Sequence, residues 1–202
     1  MADQSTNTQT KILEAASRVF QRKGMEGARM QEIADEAGIN KALLHYYYRS
    51  KDKLFLEVFR LAIHDFIPGI RDILFRDVPL TQKLDHFIRE YMRVLLENPF
   101  VPMFIIHELQ RDPDRLFQVF VEAGIDPSEI LQQVERSLKD NDHRSMDPKH
   151  LMINVLSLCI FPVAGRPLLQ RIMFDNDGRA YEAFLEERYQ VVSNFVINAL
   201  QS

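Results

Sequence analysis

Residues 37–55, AGINKALLHYYYRSKDKLF, pack a glycine turn, three consecutive tyrosines and three lysines into nineteen residues. A helix points successive side chains in different directions, so Tyr46, Tyr47 and Tyr48 cannot all enter a core. Some of these rings face outward, beside lysines. Upstream, Met30, Ile33, Ala34 and Ala37 repeat at helical spacing and the pattern stops at Gly38. Asn40 is a suitable N-cap for a segment from Lys41 to about Tyr48, and Ser50 for the one after it. Helix, glycine turn, helix over Gln31–Ala37, Gly38–Asn40 and Lys41–Tyr48 has the dimensions of a helix-turn-helix.

The second helix of such a unit lies in the major groove of DNA and offers its N-terminal residues to base edges. A lysine there donates to guanine, and an apolar side chain meets a thymine methyl. Lys51, opening the next helix, is suited to a phosphate, where its charge and the helix's free N–H groups meet. Tyrosine hydroxyls donating to phosphate oxygens would account for the outward rings. Spacing alone leaves the bland alternative open, that of an ordinary short helix with one or two tyrosines capping a core.

The stretch from about Thr10 to Leu54 resembles the N-terminal domain of the tetracycline-repressor (TetR) family of bacterial transcription regulators. The residues that carry the resemblance are ILEAASRVFQRKG and IADEAGINKALLHYYYRSKDKLF. Ile33-Ala34, Ala37-Gly38, Tyr46 to Tyr48, Ser50-Lys51 and Leu54 follow the family's order without a gap. The resemblance implies that Lys41, Ala42, Leu43 and Tyr46 stand near bases and that Gln31 of the preceding helix reaches one too. It implies phosphate contacts at Tyr47 and Lys51, and a core position for Tyr48, where the family has a buried phenylalanine. Three residues depart from the pattern. His45 stands for a common tyrosine and still donates a hydrogen bond. Ala42 replaces a frequent glycine and Ala28 a frequent threonine. Arg29 either substitutes a charge for that lost hydroxyl or is a solvated surface arginine, the second being preferred.

The rest of the 202-residue chain reads as helices. Net charge is −4; residues 1–60 carry ten Lys/Arg against eight Asp/Glu (+2), leaving fifteen against twenty-one (−6) beyond. A mildly basic head on an acidic body makes any polyanion contact local. Ile12, Leu13, Ala16, Val19 and Phe20 form one helical face that Gly24 should end. Leu54, Phe55, Val58, Leu61 and Ala62 form another, which Pro68-Gly69 should kink or end. Further helices are expected after Leu80, over 100–112, 113–124, 126–141 and 148–164, after Pro167, and from about Arg179 to Leu200. Lys139–His150 reads as the most loop-like stretch.

The expected architecture is therefore all-α: a helix-turn-helix DNA-binding domain over residues 1–61 and a larger helical domain over 62–202. By resemblance the second binds a small effector and dimerises. Its Phe100, Met103, Phe104, Ile105, Ile106, Leu116, Phe117, Phe120, Met152, Leu156, Phe161 and Met173 read as core. Among and between them Met103, Phe104, His107, Phe120 and Asn154 are candidates for an effector pocket, and the effector is expected to be largely apolar. The helix over 151–164 and the last helix, with Phe184, Val191, Val192, Phe195 and Leu200, are the expected dimer interface.

No cofactor, metal site or catalytic centre is expected. His107-Glu108 opens like a zinc-protease helix but Arg111 occupies the second histidine position. His64, His86, His143 and His150 lack ligand spacing, and no nucleophile elbow or phosphate-binding glycine loop occurs. Cys159 alone cannot form an internal disulfide and reads as a buried hydrophobe. With no apolar leader and no run of membrane-spanning length, a cytoplasmic location is expected. The partners expected are a palindromic DNA operator, a small-molecule effector and a second copy of the chain. The competing reading is a helical small-molecule carrier or enzyme that has lost DNA binding.

Overall fold

The computed structural model describes residues 2–124, 126–140 and 146–201. Among these residues there are eleven helices and no strand. In chain order they are α1 (Ala2–Gly27), α2 (Met30–Glu36), α3 (Lys41–Tyr47), α4 (Lys51–Phe75), α5 (Leu80–Glu97), α6 (Val101–Arg111), α7 (Pro113–Glu122), α8 (Pro127–Asp140), α9 (Pro148–Ala164), α10 (Arg166–Met173) and α11 (Gly178–Gln201). The contacts group into two compact units, Met1–Ile63 and His64–Ser202, whose boundary falls within α4.

In the first unit α2 packs against α1 and α3. Ile12, Ala15, Ala16, Val19 and Phe20 of α1 are buried, as are Ile33, Ala34, Leu44, Leu54, Phe55, Val58 and Phe59. Phe20 meets Phe55 edge to face, with centroids 4.5 Å apart, a geometry that adds about 0.5–1.5 kcal/mol beyond area burial. Gly24 interrupts α1 at φ 65, ψ 178, a conformation essentially confined to glycine. Of the kink or end expected at Pro68-Gly69, the end does not occur: helix α4 continues to Phe75. Ile70, Ile73 and Leu74 stay buried at helical spacing beyond the proline, and that burial offsets the roughly 3 kcal/mol a proline costs inside a helix.

The second unit is arranged around α9, which packs against α5, α6, α8, α10 and α11, while α5 also packs on α11 and α6 on α7. Leu151, Val155, Cys159 and Val163 form the buried face of α9. Burial pushes the Cys159 thiol up to about 12, so it is an inert filler. Pro162 lies inside α9 and has no N–H to give the carbonyl of Leu158. Arg188 of α11 donates to that carbonyl instead, at 3.4 Å. The Pro162 carbonyl is itself among the last four of its helix, and the Tyr181 hydroxyl donates to it at 2.6 Å. Two side chains of α11 thus satisfy two backbone acceptors of α9.

Three helices begin with Asp-Pro. The Asp112 carboxylate accepts from the Arg115 amide, Asp126 from Ser128 and Asp147 from Lys149, while the following proline needs no partner at the first helical position. Two expectations fall at the gap between α8 and α9: within the loop-like 139–150 stretch, residues 141–145 lie outside the described residues, and so does His143. Several apolar residues expected in the core are exposed instead, namely Met103, Ile106, Phe117, Phe161 and Met173. Consecutive apolar positions on one helix cannot all face inward. Val192 and Leu200, expected at a dimer interface, are buried within the chain.

Candidate nucleic-acid interface

Helix α3 begins at Asn40, whose side-chain oxygen accepts from the Leu43 amide at 2.8 Å. The turn before it has Gly38 at φ +67, where an added Cβ would meet nothing within 4 Å. The requirement for glycine is therefore one of backbone conformation and not of space. Ser50 Oγ accepts from the Lys53 amide at 3.2 Å and starts α4. One side chain, Leu44, is fully buried and anchors α3 to its unit.

The remaining face of α3 is open. Lys41, Ala42, His45 and Tyr46 are exposed, and Leu43 and Tyr47 are half-buried. Tyr46 is 79% exposed, with its ring set edge to face against Tyr47 at 5.5 Å. An aromatic ring so far out of a core is available to a partner. Tyr48 is half-buried, and burial raises its hydroxyl above the ordinary tyrosine value. The buried anchor of the helix is Leu44, one turn before it. Gln31 of α2 is exposed and its amide donates to Asp35 Oδ1 at 2.8 Å. Ala28 is buried, so it is part of the packing, while Arg29 caps α2 only by its backbone, with no side-chain bond.

Lys51 has a structural duty. Its Nζ donates to the carbonyl of Ala28 at 3.2 Å and to that of Glu26 at 3.4 Å. These bonds tie the start of α4 to the segment that joins α1 and α2. An ammonium has three N–H groups, which leaves one for another acceptor. Arg49 and Lys53 flank Ser50-Lys51 and are exposed. Their charge was visible in the sequence; their exposure was not.

Three basic residues of α1 are engaged elsewhere. Arg18 and Arg22 meet Glu36 at 2.9 and 2.7 Å, and Lys23 meets Glu32 at 2.6 Å. The hydrogen bonds from Arg18 and then Arg22 hold the Glu36 carboxyl below its ordinary value, and the one from Lys23 does the same for Glu32. A hollow of about 410 Å³ between these helices is lined by Val19, Arg22, Lys23, Glu32, Asp35 and Glu36. Its charges already serve one another in fastening α1 to α2.

The five candidate effector residues do not form one wall. Met103 and His107 lie one turn apart on the outer, exposed face of α6, and Asn154 is exposed on α9. Phe104 is buried on the inner face of α6, and Phe120 of α7 is half-buried. Apolar side chains are also exposed on the last three helices: Ile153 and Phe161 of α9, Leu168, Ile172 and Met173 of α10, and Val191 and Phe195 of α11. Among the described residues no group of three or more His, Cys, Asp and Glu could hold a metal. No single described helix is long and apolar enough to cross a membrane.

Residues 12–58 match the model of bacterial regulatory proteins of the tetR family. The transcriptional activator FasR of Mycolicibacterium smegmatis is 31% identical over 100 residues, which are 45% of this chain and 46% of that protein. The transcriptional repressor NicS of Pseudomonas putida is 40% identical over 57 residues, 28% of this chain and 27% of that protein. The matched parts thus span less than half of either relative. Over nearly the whole chain the fold is similar to that of the transcriptional regulator FadR from Bacillus subtilis, solved with stearoyl-CoA. The TM-score is 0.60 at 16% identity, covering 91% of this chain and 97% of that one.

Proposed function

We infer that this chain, whose residues 12–58 are a domain of the tetR family of bacterial regulatory proteins, is a ligand-responsive transcription regulator that binds a palindromic operator as a dimer. The observation that carries this reading is α3: a helix held by one buried leucine and capped by Asn40, with Lys41, Ala42, His45 and Tyr46 left open. Lys41, Ala42, Leu43 and Tyr46 read bases, assisted by Gln31, while His45, Tyr47 and the third N–H of Lys51 meet phosphates. One seven-residue helix reads too few bases to select a site, so two heads act on two half-sites one helical turn of DNA apart. The exposed apolar residues of α9, α10 and α11 support a second copy of the chain as the partner of that surface.

The direction of regulation is repression. The repressor NicS supports it, and its match is the most concentrated of those above. The activator FasR favours the opposite sign by the same kind of likeness. The effector is read as largely apolar and received within the second unit, near Phe104 and Phe120. The stearoyl-CoA of the FadR structure, an apolar acyl chain on a charged coenzyme, supports an effector with a large apolar part for this fold. Because α4 contributes residues to both units, it is the natural route for control. An effector shifts the operator equilibrium only by binding the two conformations differently, and operator must then weaken the effector by the same factor.

A gel-shift against the DNA upstream of the protein's own coding region tests the reading. A retarded band that survives competitor DNA and is lost on adding salt is expected. A carrier or enzyme that has lost DNA binding would give none.

A further inference from the structure

Several basic side chains of the first unit are already engaged. Arg18 and Arg22 are held by Glu36, Lys23 by Glu32, and Lys51 by the carbonyls of Ala28 and Glu26. Lys41, His45, Arg49 and Lys53 are different. They recur every fourth residue, all are exposed, and among the described residues their side chains have no hydrogen-bond or ion-pair partner. Lys41 and His45 lie one turn apart on the same open side of α3. Of the four, only histidine is a residue type whose charge ordinarily changes between pH 5 and 8. His45 is also the only histidine among residues 1–63.

The charged groups around it leave the imidazole to an outside partner. On α2, the helix packed against α3, Glu32 is held by Lys23, Glu36 by Arg18 and Arg22, and Asp35 accepts from Gln31. On α3 itself stands Lys41, and after the helix come Arg49, Lys51, Asp52 and Lys53. None of these carboxylates bonds His45. His45 falls in the last turn of α3, where the carbonyl end of a helix favours a cation. An anion that meets this side of α3 therefore comes from outside the chain.

We propose that His45 meets an operator phosphate as its imidazolium, so that each protomer takes up a proton on binding and affinity rises as pH falls through the histidine range. This rests on the reading of α3 as the DNA-contacting helix and adds to it a dependence on pH. A phosphate beside an imidazole favours the charged form, and a charge-assisted hydrogen bond is about twice as strong as a neutral one. Linkage fixes the sign. A complex that holds more protons than the free protein is favoured at low pH and weakened as pH rises.

Fluorescence anisotropy of the full chain with a duplex from upstream of its own coding region tests this, at about pH 6 and about pH 8, either side of the ordinary histidine value. Ionic strength is held constant, and calorimetry in two buffers of different ionisation enthalpy counts the protons taken up. The wild-type dimer is expected to bind roughly tenfold more tightly at the lower pH, with proton uptake. H45Q keeps a hydrogen-bond donor without a titrating charge, and is expected to lose both the pH response and the uptake. H45R, charged at both pH values, is expected to bind without uptake; should one variant fail to fold, the other decides. Wild-type affinity that does not change with pH, or uptake that persists in either variant, overturns the proposal and leaves the regulator reading in place. A wild type that binds no DNA at either pH overturns both.

Discussion

Two exposed surfaces of this protein are built from opposite chemistries. On α3 the open residues are Lys41, His45 and Tyr46, polar or hydrogen-bonding groups on a helix anchored by Leu44. On α9, α10 and α11 they are Ile153, Phe161, Leu168, Ile172, Met173, Val191 and Phe195. The first surface can exchange hydrogen bonds with water or with a polyanion at little cost. The second gains only by being covered. Surface chemistry therefore separates the face proposed for a reversible nucleic-acid contact from the one proposed for a lasting contact with a second copy, although both are faces of helices.

The largest effect is expected where the apolar surface is given charge. Phe161→Glu combined with Phe195→Glu should turn a dimer into a monomer in sedimentation velocity. Operator affinity should fall by a factor on the order of 10² or more, since the second head no longer binds as part of the same particle. A dimer that persists would remove α9 and α11 from the interface.

Leu44→Ala should come next. It empties a fully buried position and should cost the first unit about 2–5 kcal/mol in denaturant unfolding. Phe161→Ala, on the exposed side of the comparison, should cost the monomer little. Equal losses would mean that the two positions are not packed as differently as their burial indicates.

Within the polar surface the proposed roles divide. Tyr46→Ala should change the ranking of operator variants, with a base contact contributing about 1–3 kcal/mol of discrimination. Lys51→Ala should weaken all sequences alike and make the logarithmic salt slope shallower by about one for each contact removed in each protomer. Because Lys51 also holds the carbonyls of Ala28 and Glu26, its variant should unfold earlier too. Matching loss of affinity in both variants, with no change in sequence preference, would end this division.

The helix-turn-helix was legible because its signals are local. Gly38 requires a left-handed turn, Asn40 and Ser50 cap the helices that follow, and Leu54 marks an inner face. Each depends on a few neighbours in sequence, and the structure has them as read. What Lys51 holds was not legible, since its partners lie 23 and 25 residues away. The second unit hid more. Helical spacing groups Met103 with His107 and sets Phe104 on another face, but does not say which face is inward. Pro68 was read as a kink or a stop because the local cost of proline is visible in sequence and the burial of Ile70, Ile73 and Leu74 is not. Glu108 passed as half of a failed metal motif. Its ion pair with Arg115 appears only when α6 and α7 are brought together.

The smallest expected effect is one of pH. Glu36 is held below its ordinary value of 4.5 by Arg18 and Arg22. A depressed carboxyl contributes stability that is full above its unfolded value and is lost as pH falls through the lower folded one. Thermal unfolding should therefore show the first unit weakening only below about pH 4.5, and Arg18→Ala with Arg22→Ala should flatten that dependence. These pairs are solvent-exposed, so the effect should be slight and smaller still in high salt.

The most direct measurement is a fluorescence anisotropy titration of the full chain against a duplex from upstream of its own coding region and against a scrambled duplex of equal length, at two salt concentrations. The account predicts a tighter, saturable transition on the first duplex with an even number of protomers per palindrome, and a marked loss of affinity on both as salt rises. Equal affinity for the two sequences at both salt concentrations, or no binding to either, would contradict it.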